Sequence, residues 1–270
     1  MRADVVDLTG PEFDCSHVEP ATKTLAICAG PRTGSTEFGR FLMAAGLGIP
    51  HEYFHPDFSA VLASRWGLPS NALHPSHIGA YIEQLRCRRS SGGVFATKLQ
   101  YWQYADSLCN EHGRALFKDA VVVHLFRADV VGQLASLHRA QETGRYDFTK
   151  RIIKPPKTRE QLLNKKRLLS LINFIAVEDA GFRRLFMFLG IRPIFSEFGR
   201  LTCDAQSKIR EIGQALAVPL NKEGLDAALA ATAPYPHSDN TQHREQLISR
   251  IMGELAFVRS QKVVEMWLDR

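Results

Sequence analysis

Between Thr24 and Ala45 the sequence changes character twice, and those changes restrict the available folds more than any other feature. TLAICA is a short apolar run of the kind that forms a strand buried on both faces. It gives way to Gly30-Pro31-Arg32-Thr33-Gly34-Ser35-Thr36 and then to a helical run, Glu37 to Ala45. A doubly buried strand followed by a tight turn and a helix belongs to a parallel sheet with crossover helices. The alternation recurs. VFATKL (94–99) and AVVVHLF (120–126) read as strands, followed by helical patterns over about 101–112 and from Asp129 to Gln141. A Lys- and Pro-rich stretch (150–157) leads into a long helical region from about Arg159 to Leu189, and Pro193 to Ser196 reads as a further short strand. Helical patterns near 204–217 and 243–268 complete the cover. The expected class is α/β: a three-layer sandwich, with a central parallel sheet covered by helices on both faces.

The remaining composition narrows the setting. At 270 residues, with 45% apolar and 23% charged, the chain is long enough for one large core and is neither fibrous nor wholly disordered. Residues 1–22 show little periodicity and are expected to form a loosely held arm, with 23–270 as a single domain, because no repeat or long linker divides them. The longest apolar runs, such as Ala120 to Val123 and Leu185 to Leu189, fall far short of the roughly 20 residues that span a bilayer. The opening MRADVVDLTGPEFDCSHVEP lacks the basic and apolar regions of a signal peptide, so a cytoplasmic protein with no transmembrane segment is expected. Cys15, Cys28, Cys87, Cys109 and Cys203 are odd in number and form no C-x-x-C pair, which suggests neither a disulfide framework nor a zinc site. The surplus of 34 basic over 28 acidic residues suits an anionic ligand. No zinc-finger spacing, RNP-type strand or long basic run points to nucleic acid, and Arg86, Arg88 and Arg89 read as a solvated helix end.

The turn after the first strand carries the chemistry. Its two glycines let backbone N–H groups point inward, and the helix that follows offers its positive end, which together make a cradle for a phosphate or sulfate. A Walker A loop needs G-x-x-x-x-G-K-[ST]; here three residues separate Gly30 from Gly34, and Ser35 stands where the lysine belongs. This P-loop-like turn therefore lacks the main support for ATP or GTP hydrolysis. Its cation is Arg32, and Ser35 and Thr36 place hydroxyls at the helix start. The bland alternative is an ordinary capped turn, since Gly, Ser and Thr are good turn and cap residues. A second candidate follows AVVVHLF: Arg127 lies at the carboxyl end of a strand, where parallel sheets bind ligands, and Gln133 or Ser136 is carried by the next helix. Here the alternative is that Asp129 merely caps that helix and Arg127 pairs with a surface carboxylate.

Four ordered segments, ICAGPRTGSTEF, GIPHEYFHP, VFATKLQYWQ and VVHLFRADVVGQLASLHRAQETG, resemble the sulfotransferases that use 3′-phosphoadenosine-5′-phosphosulfate. They look most like the bacterial trehalose 2-sulfotransferase family, with the lipopolysaccharide and Nod-factor sulfotransferases behind it. The resemblance runs over about Leu25 to Arg145 and fades afterwards. It implies that Arg32, Thr33, Gly34, Ser35 and Thr36 hold the 5′-phosphosulfate, and that Arg127 with Ser136 holds the 3′-phosphate. In the usual pattern the Ser lies eight residues after its Arg, whereas here that place is Ala135 and the next is Ser136, so Ser136 and Gln133 both stay open as the contact.

Sulfuryl transfer depends on placement and on cations around the transferred group. Arg32 stands where such enzymes generally carry a lysine, and Lys98, ending VFATKL, is a further candidate; the alternative is a strand-end lysine with its head in water. The cytosolic sulfotransferases place a His two residues after the equivalent of Lys98, but this chain has Gln100. The trehalose-type family instead has a Glu after the first helix, which HEYF matches as Glu52; His51 and His55 are rival bases. Tyr53 and Phe54 are expected to bury Glu52 enough to raise its pKa toward that of a useful base. The sequence assigns no metal and leaves the adenine contacts open. The implied acceptor is a small-molecule or lipid-linked glycan. A homodimer is suggested by the likeness and by the apolar helix near 167–189, which serves equally as core. Two other readings stay in view: a kinase or nucleotidase with a degenerate Walker loop, and a non-catalytic nucleotide- or glycan-binding module.

Overall fold

In the computed structural model, which describes residues 8–15, 19–143 and 165–232 and the single positions 245 and 249, TLAICA lies within β1 (Lys23–Ala29) at the middle of a five-stranded sheet. Its neighbours are β3 (Val94–Leu99) and β4 (Ala120–Phe126), both parallel to it. The short β5 (Ile194–Glu197) extends the sheet beyond β4 in the same direction, and β2 (Ser90–Ser91) closes the other side antiparallel to β3. The order β2-β3-β1-β4-β5 brings the carboxyl ends of the three central strands to one edge. Register is tight there: Cys28 pairs with both Leu99 and His124, and Ala29 with Leu125.

Side chains alternate across a strand, so each buried strand feeds two cores. Leu25, Ile27 and Ala29 of β1, with Val94 and Ala96 of β3 and Val123 and Leu125 of β4, face one apolar layer. It is roofed by α1 (Ser35–Ala44), α8 (Leu201–Leu216) and α9 (Lys222–Ala230). Ala26 and Cys28, with Phe95, Leu99 and Val122, face the opposite layer, which is richer in aromatic rings. That layer is covered by α2 (Pro56–Arg65), α3 (Ile78–Arg88), α5 (Glu111–Lys118) and the later part of α7 (Lys165–Leu189). The expected three layers are present, with one antiparallel edge strand.

Several elements depart from the sequence reading. The helix expected over 101–112 is a single helical turn, α4 (Tyr101–Gln103), running into a π-helical turn (Tyr104–Leu108). The chain then restarts as α5, because the Asn110 side chain accepts N–H bonds from His112 and Gly113. Helix α2 has no counterpart in the sequence reading, and of α3 only the end at Arg86 and Arg88 is anticipated there. In α3 the buried residues Ile78, Tyr81, Ile82 and Leu85 keep a helical spacing. Arg89 is not solvated: it is fully buried, donates to the carbonyls of Leu8, Thr9 and Gly10, and pairs with Asp14 at 2.7 Å. Of the helix expected at 243–268 only positions 245 and 249 are described, both helical, while the Lys/Pro stretch falls outside the described residues, as do residues 1–7 and 16–18 of the expected arm.

The described residues divide between two compact units, one within 1–128 and 175–233 and the other within 129–174 and 234–270. The sheet and its two cores belong to the first. Within the second, α6 (Val130–Thr143) meets the start of α7 through Ala135 against Leu168 and an Arg167–Glu142 ion pair.

Candidate active site

The turn between β1 and α1 holds an unusual backbone. Gly34, which caps α1, has φ +78°, and Arg32 has φ +63°, a left-handed conformation that costs a non-glycine residue about 1–3 kcal/mol. Thr33 is buried and its hydroxyl donates to the Gly30 carbonyl at 2.8 Å, which tightens the loop from inside. No side chain caps α1, and its first hydrogen bond inward runs from the Phe38 N–H to the Gly34 carbonyl. The N–H groups at the helix start are thus of the kind that await an outside acceptor. Ser35 is half-buried beside them, and Thr36 is exposed.

Strand parity places Lys98. Val94, Ala96 and Lys98 share the face of β3 turned to α1, and Lys98 is opposite Ile27 of β1. Its stem runs beneath Gly39, where an added Cβ would lie 3.8 Å from Cδ. The ammonium therefore does not sit in water: Lys98 is 7% exposed, with Nζ 3.4 Å from Thr36 Oγ1 and 3.7 Å from Glu52 Oε1. The second of these is an ion-pair distance rather than a hydrogen bond.

Glu52 arrives there because its neighbours are pinned. Gly48 (φ +90°) passes so close to β3 that a Cβ would lie 2.6 Å from that of Ala96. The chain then bridges Thr97 at His51, whose carbonyl accepts the Lys98 N–H at 2.8 Å. Tyr53 and Phe54 are fully buried; the Tyr53 hydroxyl donates to Ile49, and the Tyr81 hydroxyl to the Tyr53 carbonyl. With both following residues in the core, the Glu52 side chain is left facing the carboxyl edge of β3.

Two glutamines hold its Oε2 atom, Gln100 Nε2 at 3.1 Å and Gln103 Nε2 at 3.0 Å. Their polarity is forced. Trp102 Nε1–H, a donor only, faces Gln100 Oε1 at 3.1 Å, and the Gln100 backbone N–H faces Gln103 Oε1 at 3.1 Å, so both amide NH₂ groups must turn to Glu52. Oε2 is thereby saturated, while Oε1 faces Lys98. Burial pushes the Glu52 carboxyl up, but Lys98, the Gln103 amide, His51 and the Gln100 amide outweigh it, and the net shift is below the usual carboxylate value. This corrects the expectation of a raised pKa: the side chain has oriented donors around it, not only rings.

The rival bases are engaged otherwise. His55 caps α2, its Nδ1 accepting the Asp57 N–H at 3.3 Å, and its ring meets Trp102 edge-on at 5.4 Å. The His51 ring packs on Phe58 and Tyr53. The roles of Gln100, Gln103 and Trp102 around Glu52 are what the sequence reading missed; Gln100 stands there only as a missing histidine. The signal available was Q-x-x-Q at a strand-to-helix junction, a glutamine version of a capping box.

Arg127 follows β4 directly and lays its guanidinium over the Phe198 ring, 4.7 Å from the centroid. Within the second unit, the Asp129 carboxylate accepts the Gly132 N–H at 3.0 Å and caps α6. On that helix Gln133 is buried and Ser136 half-buried. Among the described residues, no group of His, Cys, Asp and Glu is placed to hold a metal ion, and no helix is long and apolar enough to cross a membrane.

The geometry is that of a glycine-capped turn with a buried lysine and an oriented carboxylate at the same sheet edge. A family model described as Stf0 sulphotransferase matches residues 24–245, which takes in the turn, the Glu52 segment, β3, β4 and α6. Among curated proteins none matches the chain significantly. With most of its length matched, and with the strand-turn-helix, the parallel sheet and the residues at its carboxyl edge all inside the match, the chain belongs to the Stf0 sulfotransferase family.

Proposed function

We propose that the chain transfers a sulfuryl group from 3′-phosphoadenosine-5′-phosphosulfate to a hydroxyl of a carbohydrate or glycolipid, with Glu52 as general base. The observation that carries this reading is the convergence of Thr36, Lys98 and Glu52 beside a glycine turn that has no Walker lysine. The donor set fits a phosphosulfate: unpaired helix-start N–H groups, the hydroxyls of Ser35 and Thr36, and the cations Arg32 and Lys98. Thr33, its hydroxyl spent on Gly30, and Gly34 contribute through the backbone. Arg127, with Gln133 or Ser136, takes the 3′-phosphate.

In the reaction the acceptor oxygen attacks sulfur in line with the bond to the 5′-phosphate. Its proton passes to Glu52 Oε1, the oxygen not held by the two amides. As the S–O bond breaks, negative charge grows on the leaving phosphate, where Arg32 and Lys98 stabilise it. A carboxylate with a depressed pKa is a weak base but is fully ionised at neutral pH. It suits a loose transition state in which the hydroxyl proton becomes acidic late. Calorimetric titration with 3′,5′-bisphosphoadenosine, AMP and ATP, with and without Mg²⁺, tests the donor. Selective, metal-independent binding of the bisphosphate is expected, and preference for Mg-ATP would overturn the assignment.

A further inference from the structure

Helix α7 carries a carboxylate where its pattern calls for an apolar side chain. Ile175, Glu178, Phe182 and Leu185 follow a three-four-three spacing, and all four are buried, Glu178 at 1% exposure. A lone carboxylate in such a stripe carries a desolvation cost unless it is hydrogen-bonded. Its partners are two backbone donors: Glu178 Oε2 accepts the Tyr101 N–H at 2.6 Å, and Oε1 accepts the Trp102 N–H at 3.0 Å. These are the first N–H groups of α4, which a helix start leaves without partners of its own.

The approach is enforced by a glycine. A Cβ on Gly181 would lie 2.4–2.5 Å from three atoms of the Tyr101 ring, so no other residue lets α7 come this near. Phe182 then meets the same ring edge-on at 5.6 Å. The turn so clamped is the one whose N-cap and third residue, Gln100 and Gln103, hold Glu52 Oε2.

We infer that Glu178 is a positioning residue for Glu52: by fixing the Tyr101–Gln103 turn to α7 through two backbone N–H groups, it aims both glutamine amides at Oε2 and leaves Oε1 for the proton. The inference rests on the reading of Glu52 as the base. Glu178 is too buried to touch substrate and acts only through the turn. Burial raises its carboxyl above the usual range, opposed by the Trp102 and Tyr101 N–H bonds, and the charge of Glu52 raises it further, in keeping with two carboxylates held close by one turn.

The test uses the full chain with Glu178→Ala, Glu178→Gln and Glu178→Asp beside Glu52→Gln. The Glu52 carboxyl is followed by ¹³C NMR through a pH titration, turnover by sulfuryl transfer, and donor binding with 3′,5′-bisphosphoadenosine. Glu178→Ala also removes a negative charge, which by itself draws the Glu52 midpoint down, so the net upward movement expected there reports the lost aim of the amide donors, and kcat should fall about 10- to 100-fold with bisphosphate affinity unchanged. Glu178→Asp should recover part of both, since a shorter carboxylate still reaches one N–H. If Glu178→Ala does not fold, Glu178→Gln, of the same shape with one acceptor fewer, carries the same readout. A folded variant with an unmoved Glu52 midpoint overturns the inference. If Glu52→Gln turns over normally, the base assignment fails, yet a shifted midpoint in Glu178→Ala still upholds the positioning. If Glu52→Gln is inactive and the midpoint is unmoved, only the positioning falls.

Discussion

The sheet presents two strand-arginine-helix junctions at its carboxyl edge, after β1 and after β4, and they are built on opposite principles. After β1 the cap is a glycine with no side-chain bond, so the N–H groups of α1 stay open and Arg32 sits in a strained left-handed turn beside them. After β4 the helix supplies its own acceptor, Asp129, and Arg127 rests against the Phe198 ring. An anion at the first junction is held by backbone amides and helix dipole together. At the second, a carboxylate already occupies the helix start, which leaves no open helix-start N–H groups of that kind. Under the proposed function the first junction grips the reacting group and the second the remote end of the donor.

The difference predicts unequal losses. Removing the proposed base beside the first junction, Glu52→Gln, should lower kcat by about 10²- to 10⁴-fold while bisphosphate affinity is retained, measured by steady-state transfer and calorimetry. Near-normal turnover would show that the proton leaves by another route. Arg32→Ala should cost about 10²- to 10³-fold in kcat, the scale of a lost donor to developing charge. It should also relieve little backbone strain, since alanine shares the cost of positive φ. Arg32→Gly separates the two effects: it frees the backbone but still removes the cation, so a kcat restored by glycine would mean that strain relief, and not the guanidinium, governs the step.

How much of this was legible in the sequence follows the same divide. The first junction could be read because its signals are local: strand, glycine spacing, missing lysine and hydroxyls lie within one short run. The Glu52 segment was legible only as a likeness, and the direction of its pKa was misread because Lys98 reaches it from β3 and Gln100 and Gln103 from the turn of α4. No local pattern reports such a convergence. Glu178 was legible in principle, as a charge on an apolar stripe, but its partners are backbone groups far away in sequence, which leave no trace in residue type. Helix α2 and the body of α3 are hard to read because the segment is dense in His, Pro and Ser, although Pro56 at a helix start and the spacing of Ile78, Tyr81, Ile82 and Leu85 mark them.

The strands beneath the junctions differ as well. The buried stretch of β1 is apolar apart from Thr24, whereas β4 carries His124, buried among Phe126, Phe182, Phe186 and Phe195, with Nε2 3.4 Å from Asp179 Oδ1. Burial pushes the imidazole down to about 4, against the pull of Asp179 and with the help of Arg183. Its folded pKa thus lies below the unfolded value near 6.5, so the unfolded chain takes up the proton first. Stability is full above about pH 6.5 and is lost as pH falls toward 4, by about 3 kcal/mol from this group. Urea denaturation at pH 7.5, 5.5 and 4.5 should show the decline, and His124→Leu should flatten it. An equal slope in the variant would assign the acid sensitivity to other groups.

Arg127→Ala should weaken bisphosphate binding by about 1.5–3 kcal/mol, the range for a hydrogen bond to a charged group, with kcat at saturating donor little changed. Unchanged affinity would remove Arg127 from the donor site. The finest test of the comparison is Asp129→Asn. Asparagine caps a helix about as well as aspartate, so folding should change by only a few tenths of a kcal/mol. What the substitution removes is a negative charge at the start of α6, two residues from Arg127 in sequence. If the second junction binds phosphate through side chains against its own capping carboxylate, Asp129→Asn should tighten bisphosphate binding by about 0.3–1 kcal/mol at low ionic strength, an advantage that added salt erases. The mirror experiment, Gly34→Asp, would install an acidic cap on α1 in a left-handed position and should weaken the same ligand. Tightening at one helix start and weakening at the other is the outcome that the two designs require; a loss of affinity in Asp129→Asn would mean that the carboxylate helps hold Arg127 in place, and the contrast between the junctions would then be one of geometry and not of charge.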